Sequence, residues 1–128
     1  MVSSGRFQPT INNIFNCVAT TPNDSSFNYI KVGRQVQWNL KANIQITGAF
    51  PTFTITLPIN PNFNITGNIF DAVGIGRAQQ QPPSAGAFDL QAQPDTNNPN
   101  LISISKFGNA TPPNGNYFFT ISGTYYIN

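Results

Sequence analysis

Histidine and glutamate are absent from this chain, and cysteine occurs once, at Cys17. Each absence closes off chemistry. Without histidine there is no Ser-His-Asp triad, and the commonest general base is missing. A lone cysteine excludes an internal disulfide and any multi-cysteine metal site. Cys17 reads as a small apolar residue. The four aspartates, Asp24, Asp71, Asp89 and Asp95, are the only carboxylate side chains. Asp24 and Asp95 lie in turn-like contexts, where aspartate bonds to nearby backbone. Asp71 and Asp89 are the one pair a glycosidase-type mechanism would draw on, but Asp89 falls on the polar register of a strand. The expectation is a protein that is not an enzyme and that needs no metal or cofactor.

Charge is scarce as well. Charged residues make up 8% of the chain, against about 25% in an average domain. The six cations, Arg6, Lys31, Arg34, Lys41, Arg77 and Lys106, are scattered, so nucleic acid is not an expected partner. No apolar run approaches the ~20 residues of a membrane-spanning helix, and the start, Met1-Val-Ser-Ser-Gly-Arg-Phe, lacks the apolar core of a secretory signal. Membrane insertion is therefore not expected. The sequons at Asn23, Asn64 and Asn109 are what chance gives in a chain so rich in Asn, Ser and Thr.

What is present is alternation. Val36, Trp38, Leu40, Ala42, Ile44 and Ile46 are apolar, and Gln37, Asn39, Lys41, Asn43 and Gln45 separate them. A period of two over that length specifies a strand with one buried face. Phe53, Ile55 and Leu57 alternate with threonines between Pro51 and Pro58; Phe88, Leu90 and Ala92, then Ile102 and Ile104, repeat the pattern. Weaker strands are expected near 7–18, 27–32 and 69–78. Gly74-Ile75-Gly76-Arg77 lacks the third glycine and the helix of a phosphate-binding loop, so its glycines mark a bulge or a close backbone approach. Eleven prolines and ten glycines gather mainly between the alternating runs. The pattern predicts one all-β domain over residues 1–128: an antiparallel β-sandwich of jelly-roll type with about seven or eight strands.

The last strand is unusual. Tyr117, Phe119, Ile121, Tyr125 and Ile127 share the inward register, with Gly123 among them where something bulky can approach. Phe118 and Tyr126 occupy the outward register. Large apolar side chains on a second face are covered either by other parts of the same chain or by a partner subunit; the second reading makes Phe118 and Tyr126 the candidate contact residues.

Four short motifs occur in order: Gly5-Arg-Phe7-Gln-Pro9-Thr10, Phe27-Asn-Tyr29-Ile-Lys31-Val32-Gly33-Arg-Gln-Val36, Leu57-Pro58-Ile59-Asn-Pro-Asn62-Phe63, and Phe119-Thr-Ile121-Ser-Gly123-Thr-Tyr125-Tyr-Ile127. Together they resemble the small β-sandwich domains of bacteriophage tail fibres, head fibres and related receptor-binding virion proteins. The resemblance implies a homotrimer, a place on the outside of the virion after assembly in the host cytoplasm, other fibre or capsid proteins as partners, and in some members a host surface glycan as ligand. It carries no catalytic residues. Family members usually cap a shaft; with Met1 so close to the first motif, an accessory protein decorating a fibre or capsid is the expectation. The alternative is a lectin-like carbohydrate-binding module outside any virion, with amides on sugar hydroxyls and Trp38 as a stacking ring, although Trp38 lies on the core register.

Overall fold

A computed structural model describes residues 2–19, 26–59, 74–82, 86–95, 101–107 and 113–127. Among the described residues ten strands occur in this order: β1 (Val2–Phe7), β2 (Ile11–Phe15), β3 (Cys17–Ala19), β4 (Ser26–Val32), β5 (Gln35–Ile46), β6 (Thr52–Thr56), β7 (Gly74–Gln80), β8 (Ala87–Pro94), β9 (Leu101–Phe107) and β10 (Gly115–Tyr126). The all-β antiparallel class expected from the alternation is what the protein adopts. The count exceeds seven or eight because residues 2–19 divide into three short strands. The part of the expected strand at 69–73, and Asp24 and Asp71, lie outside the described residues.

The strands join into one ladder, β1-β4-β5-β10-β7-β8-β9-β6-β2, with β3 also pairing β5. Because β2 runs into β3 at Asn16, the pairing returns to β5 and closes a ring. Asn16 makes this possible by adopting a φ of 55°, a left-handed conformation that asparagine tolerates better than most residues. Its carbonyl accepts from Thr47 N–H at 2.9 Å, and its side-chain amide donates to the Ala49 carbonyl. The layers of the expected sandwich are thus hydrogen-bonded to each other, and closure pairs strands that would otherwise be edges, while β1, paired with β4, stays at the end of the order. Three consecutive strands, β7, β8 and β9, are followed by β10 lying beside β7. That spatial order is a Greek key, the unit from which jelly rolls are built.

The core fills the ring. Val36, Trp38, Leu40, Ala42, Ile44 and Ile46 are buried, as are Tyr117, Phe119, Ile121 and Tyr125 on the neighbouring strand. Phe53 of β6 meets Phe119 of β10 across the interior at 5.8 Å between ring centres, and Phe88 packs edge-on against both Tyr117 and Phe119. The inward register of β9 ends on a cation: after Ile102 and Ile104 comes Lys106, which is buried with its ammonium 4.8 Å from the centre of the Phe50 ring.

On the inner face one cross-strand row reads Gly5–Tyr29–Trp38–Gly123–Gly74–Ala92. The Trp38 indole reaches over Gly123 to Gly74, where a Cβ would stand 2.7 Å from Cζ2. A Cβ on Gly76 would strike the Thr120 carbonyl oxygen of β10. The glycines of β7 therefore mark a close approach, as their position in a strand suggests. Gly33, with φ of 60°, makes the tight β4–β5 turn. Beside it Arg34 Nε donates to the Ile127 carbonyl at 3.2 Å, and Ile127 N–H donates to the Arg34 carbonyl at 2.9 Å, tying the end of the last strand to the turn.

Burial also sets the alkaline limit of stability. Desolvation raises the pKa of Tyr125 well above that of a free phenol, although its hydroxyl donates to the Ile59 carbonyl at 3.0 Å. Tyr117 is raised by desolvation too. Desolvation raises the Cys17 thiol, partly offset by hydrogen bonds involving the Phe15 and Thr52 backbone. For groups that hold their protons more tightly when folded, the stabilisation is complete below the unfolded pKa and is lost as pH rises toward the folded one. The melting temperature is therefore expected to fall above about pH 9, where cysteine and then tyrosine ordinarily ionise. Tyr125→Phe should flatten that decline in thermal melts at pH 9 to 11; an unchanged slope would exclude Tyr125 as its source.

Candidate functional site

The outward register of the β1–β4–β5 sheet and of β10 carries side chains that reach solvent. Alternation sends Ser4 and Arg6 of β1, Asn28 and Ile30 of β4, and Gln37 and Asn39 of β5 to that side, while Gly5, Tyr29 and Trp38 face inward. These residues line a shallow pocket with a volume of about 490 Å³, within the ~300–1,000 Å³ range usual for small-ligand sites. The inward-facing Gly5, Tyr29 and Trp38 also border it. Its walls are a guanidinium, three amides, a hydroxyl and one aliphatic side chain, with Ile30 48% exposed. Asn39 Nδ2 donates to Ser122 Oγ at 2.8 Å, which ties that amide to β10.

The interface candidates from the sequence both lie on the outward register, as the alternation requires, but eight positions apart on β10. At ~3.4 Å per residue they stand roughly 27 Å from each other. Phe118 is 40% exposed, between Asn43 of β5 and Gln79 of β7. Tyr126 is half-buried beside Gln35, whose other neighbour is the exposed Val32. The structure therefore does not gather them into one patch. On β7, Ile75 is 73% exposed on the same outer face as Phe118.

Trp38 offers almost no surface to a ligand. It is 3% exposed, stacked on Phe27 at 5.5 Å with an interplanar angle of 10°, and its Nε1 is buried with no hydrogen-bond partner among the described residues. Asp89 sits on the outer face of β8, opposite Arg77. The pocket was beyond sequence reasoning, because three strands contribute to it and their adjacency is not encoded locally. The polar register of β5 was the one available signal, through Gln37 and Asn39.

No protein-family model matches the chain, and no curated protein matches it in sequence. Solved structures do. Over 99% of its length the chain superposes on 74% of the C-terminal receptor-binding domain of the avian reovirus fibre sigmaC, with a TM-score of 0.60 and 11% identity. It also superposes, again over 99%, on 67% of a reovirus attachment protein, sigma1, solved in complex with alpha-2,3-sialyllactose, with a TM-score of 0.56 and 9% identity. The shared feature is the fold, and these neighbours are viral attachment proteins. They come from reoviruses, whereas the sequence motifs resemble phage fibre domains.

Proposed function

We propose that this chain is an attachment-type domain on the exterior of a virion, a phage fibre or capsid-decoration component that contacts the host surface through its polar outer face. The observation that carries this reading is the likeness of fold, over nearly the whole chain, to two viral attachment proteins, one of them solved with a bound glycan. The chemistry supports binding rather than catalysis: the chain has neither histidine nor glutamate, and its outer sheet surface is set with amides and hydroxyls. Such groups recognise polar surfaces by direct and water-mediated hydrogen bonds.

The proposed assembly is a homotrimer formed through the outer face of β10. Exposed Phe118 and Ile75 supply apolar area there, and the low charge of the chain leaves few ions to desolvate. The pocket is centred on β1 and β4, on the far side of β5 from β10 and β7, which carry Phe118 and Ile75. Antibodies against the purified protein are expected to decorate the outside of intact particles in electron micrographs. Absence of label on intact particles, with label appearing only on lysed cells, would favour a glycan-binding module that is not part of a virion.

A further inference from the structure

The β1–β4–β5 pocket carries more information than a general polar surface. Its six outward side chains form a grid of two cross-strand rows, Ser4–Ile30–Gln37 and Arg6–Asn28–Asn39. Strands ~4.8 Å apart and side chains two residues apart on one face give the grid a footprint of about 10 Å by 7 Å, the scale of a short run of sugar rings. Amides and a hydroxyl stand around one exposed aliphatic side chain, Ile30. That arrangement suits a pyranose, which presents hydroxyls at its rim and C–H groups on its face.

The charge of the grid is what narrows the ligand. Arg6 is its only ionisable member. The cross-strand row of Arg6 continues through Ser122, Ile75, Gln91 and Ser105 and holds no carboxylate. Arg77, by contrast, faces Asp89 in register on the adjoining strand. Among the described residues, the side chains of Arg6, Asn28 and Gln37 are engaged in no hydrogen bond or ion pair. An uncompensated guanidinium at one corner of a hydrogen-bonding grid has the geometry to take a carboxylate through two parallel N–H donors.

We propose that this pocket binds an acidic saccharide, with Arg6 taking the carboxylate of a uronic-acid-type residue, Asn28, Gln37 and Asn39 bonding its hydroxyls, and Ile30 packing against a ring face. The inference deepens the attachment reading and rests on it for biological meaning, but it is tested separately.

The test is titration of the full-length protein, followed by amide NMR, with tetragalacturonate and a hyaluronan tetrasaccharide. Neutral maltotetraose and sodium acetate serve as comparisons. At least one acidic oligosaccharide is expected to saturate, to shift β1, β4 and β5 amides, and to bind at least tenfold more tightly than maltotetraose. Arg6→Gln should weaken it tenfold or more, and Asn28→Ala or Gln37→Ala severalfold. Arg77→Gln, outside the pocket, should leave it unchanged. Amide spectra that superpose away from the site establish that each variant is folded. Failure of both acidic oligosaccharides to saturate at tens of millimolar, equal binding of maltotetraose, wild-type affinity in Arg6→Gln, or displacement by equimolar acetate would each overturn the proposal. Saccharide binding without particle labelling would remove the virion and keep the pocket. Labelling without saccharide binding would do the reverse.

Discussion

Trp38→Ala is expected to destabilise the fold by about 3–5 kcal/mol, the range for truncating a large aromatic at a buried site. The environment argues against relaxation into the gap. Trp38 stacks on Phe27 and covers Gly74 across Gly123, so two of the residues that would have to close over the cavity have no side chain with which to do so. One effect acts in the opposite direction: the indole Nε1 is buried with no hydrogen-bond partner among the described residues, and an unsatisfied donor costs about 1–3 kcal/mol. Trp38→Phe removes that donor while keeping most of the apolar volume, and should therefore cost much less than the alanine change. Gln37→Ala, on the exposed register one residue away, should change stability by no more than about 0.5 kcal/mol. Denaturant melts of the three variants check this. Similar losses for Trp38→Ala and Gln37→Ala would contradict the assignment of inner and outer faces.

In solution the protein is expected to have about three times the mass of its 14.0 kDa chain. Light scattering at micromolar concentration reads this directly. Phe118→Asp should lower the mass toward that of the monomer while keeping a β-type circular dichroism spectrum, or unfold the chain if folding and assembly are inseparable. The separation of Phe118 and Tyr126 along β10 makes the second substitution informative. If the contact is centred on Phe118 and Ile75, Tyr126→Asp should leave the trimer intact. If it extends along the whole strand, both changes should disrupt it. A wild-type monomer would end the trimer proposal.

Local pattern made the long strands legible. The six alternating apolar residues of β5 are all buried, and the inward register of β10, Tyr117 to Ile127, is buried except at Gly123, as the period of two requires. The prolines at 51 and 58 flank β6 as expected. Closure of the ring was not legible. It depends on Asn16 taking a left-handed conformation between two short strands, and no hydrophobic period marks such a corner. Nor does alternation reveal Lys106, a charged residue buried on an inward register with its ammonium over the ring of Phe50, a residue far away in sequence. For the candidate site, the sequence marks Gln37 and Asn39 as outward-facing. It does not say that Arg6 and Asn28 lie beside them, because cross-strand neighbours are set by register between segments far apart in the chain.

Attachment through this domain is most directly tested by adsorption. Host cells preincubated with the purified protein should adsorb fewer particles, in a manner that depends on protein concentration and saturates as surface receptors fill. Undiminished adsorption at protein concentrations that saturate the cells, or no binding of the protein to those cells at all, would contradict an attachment role.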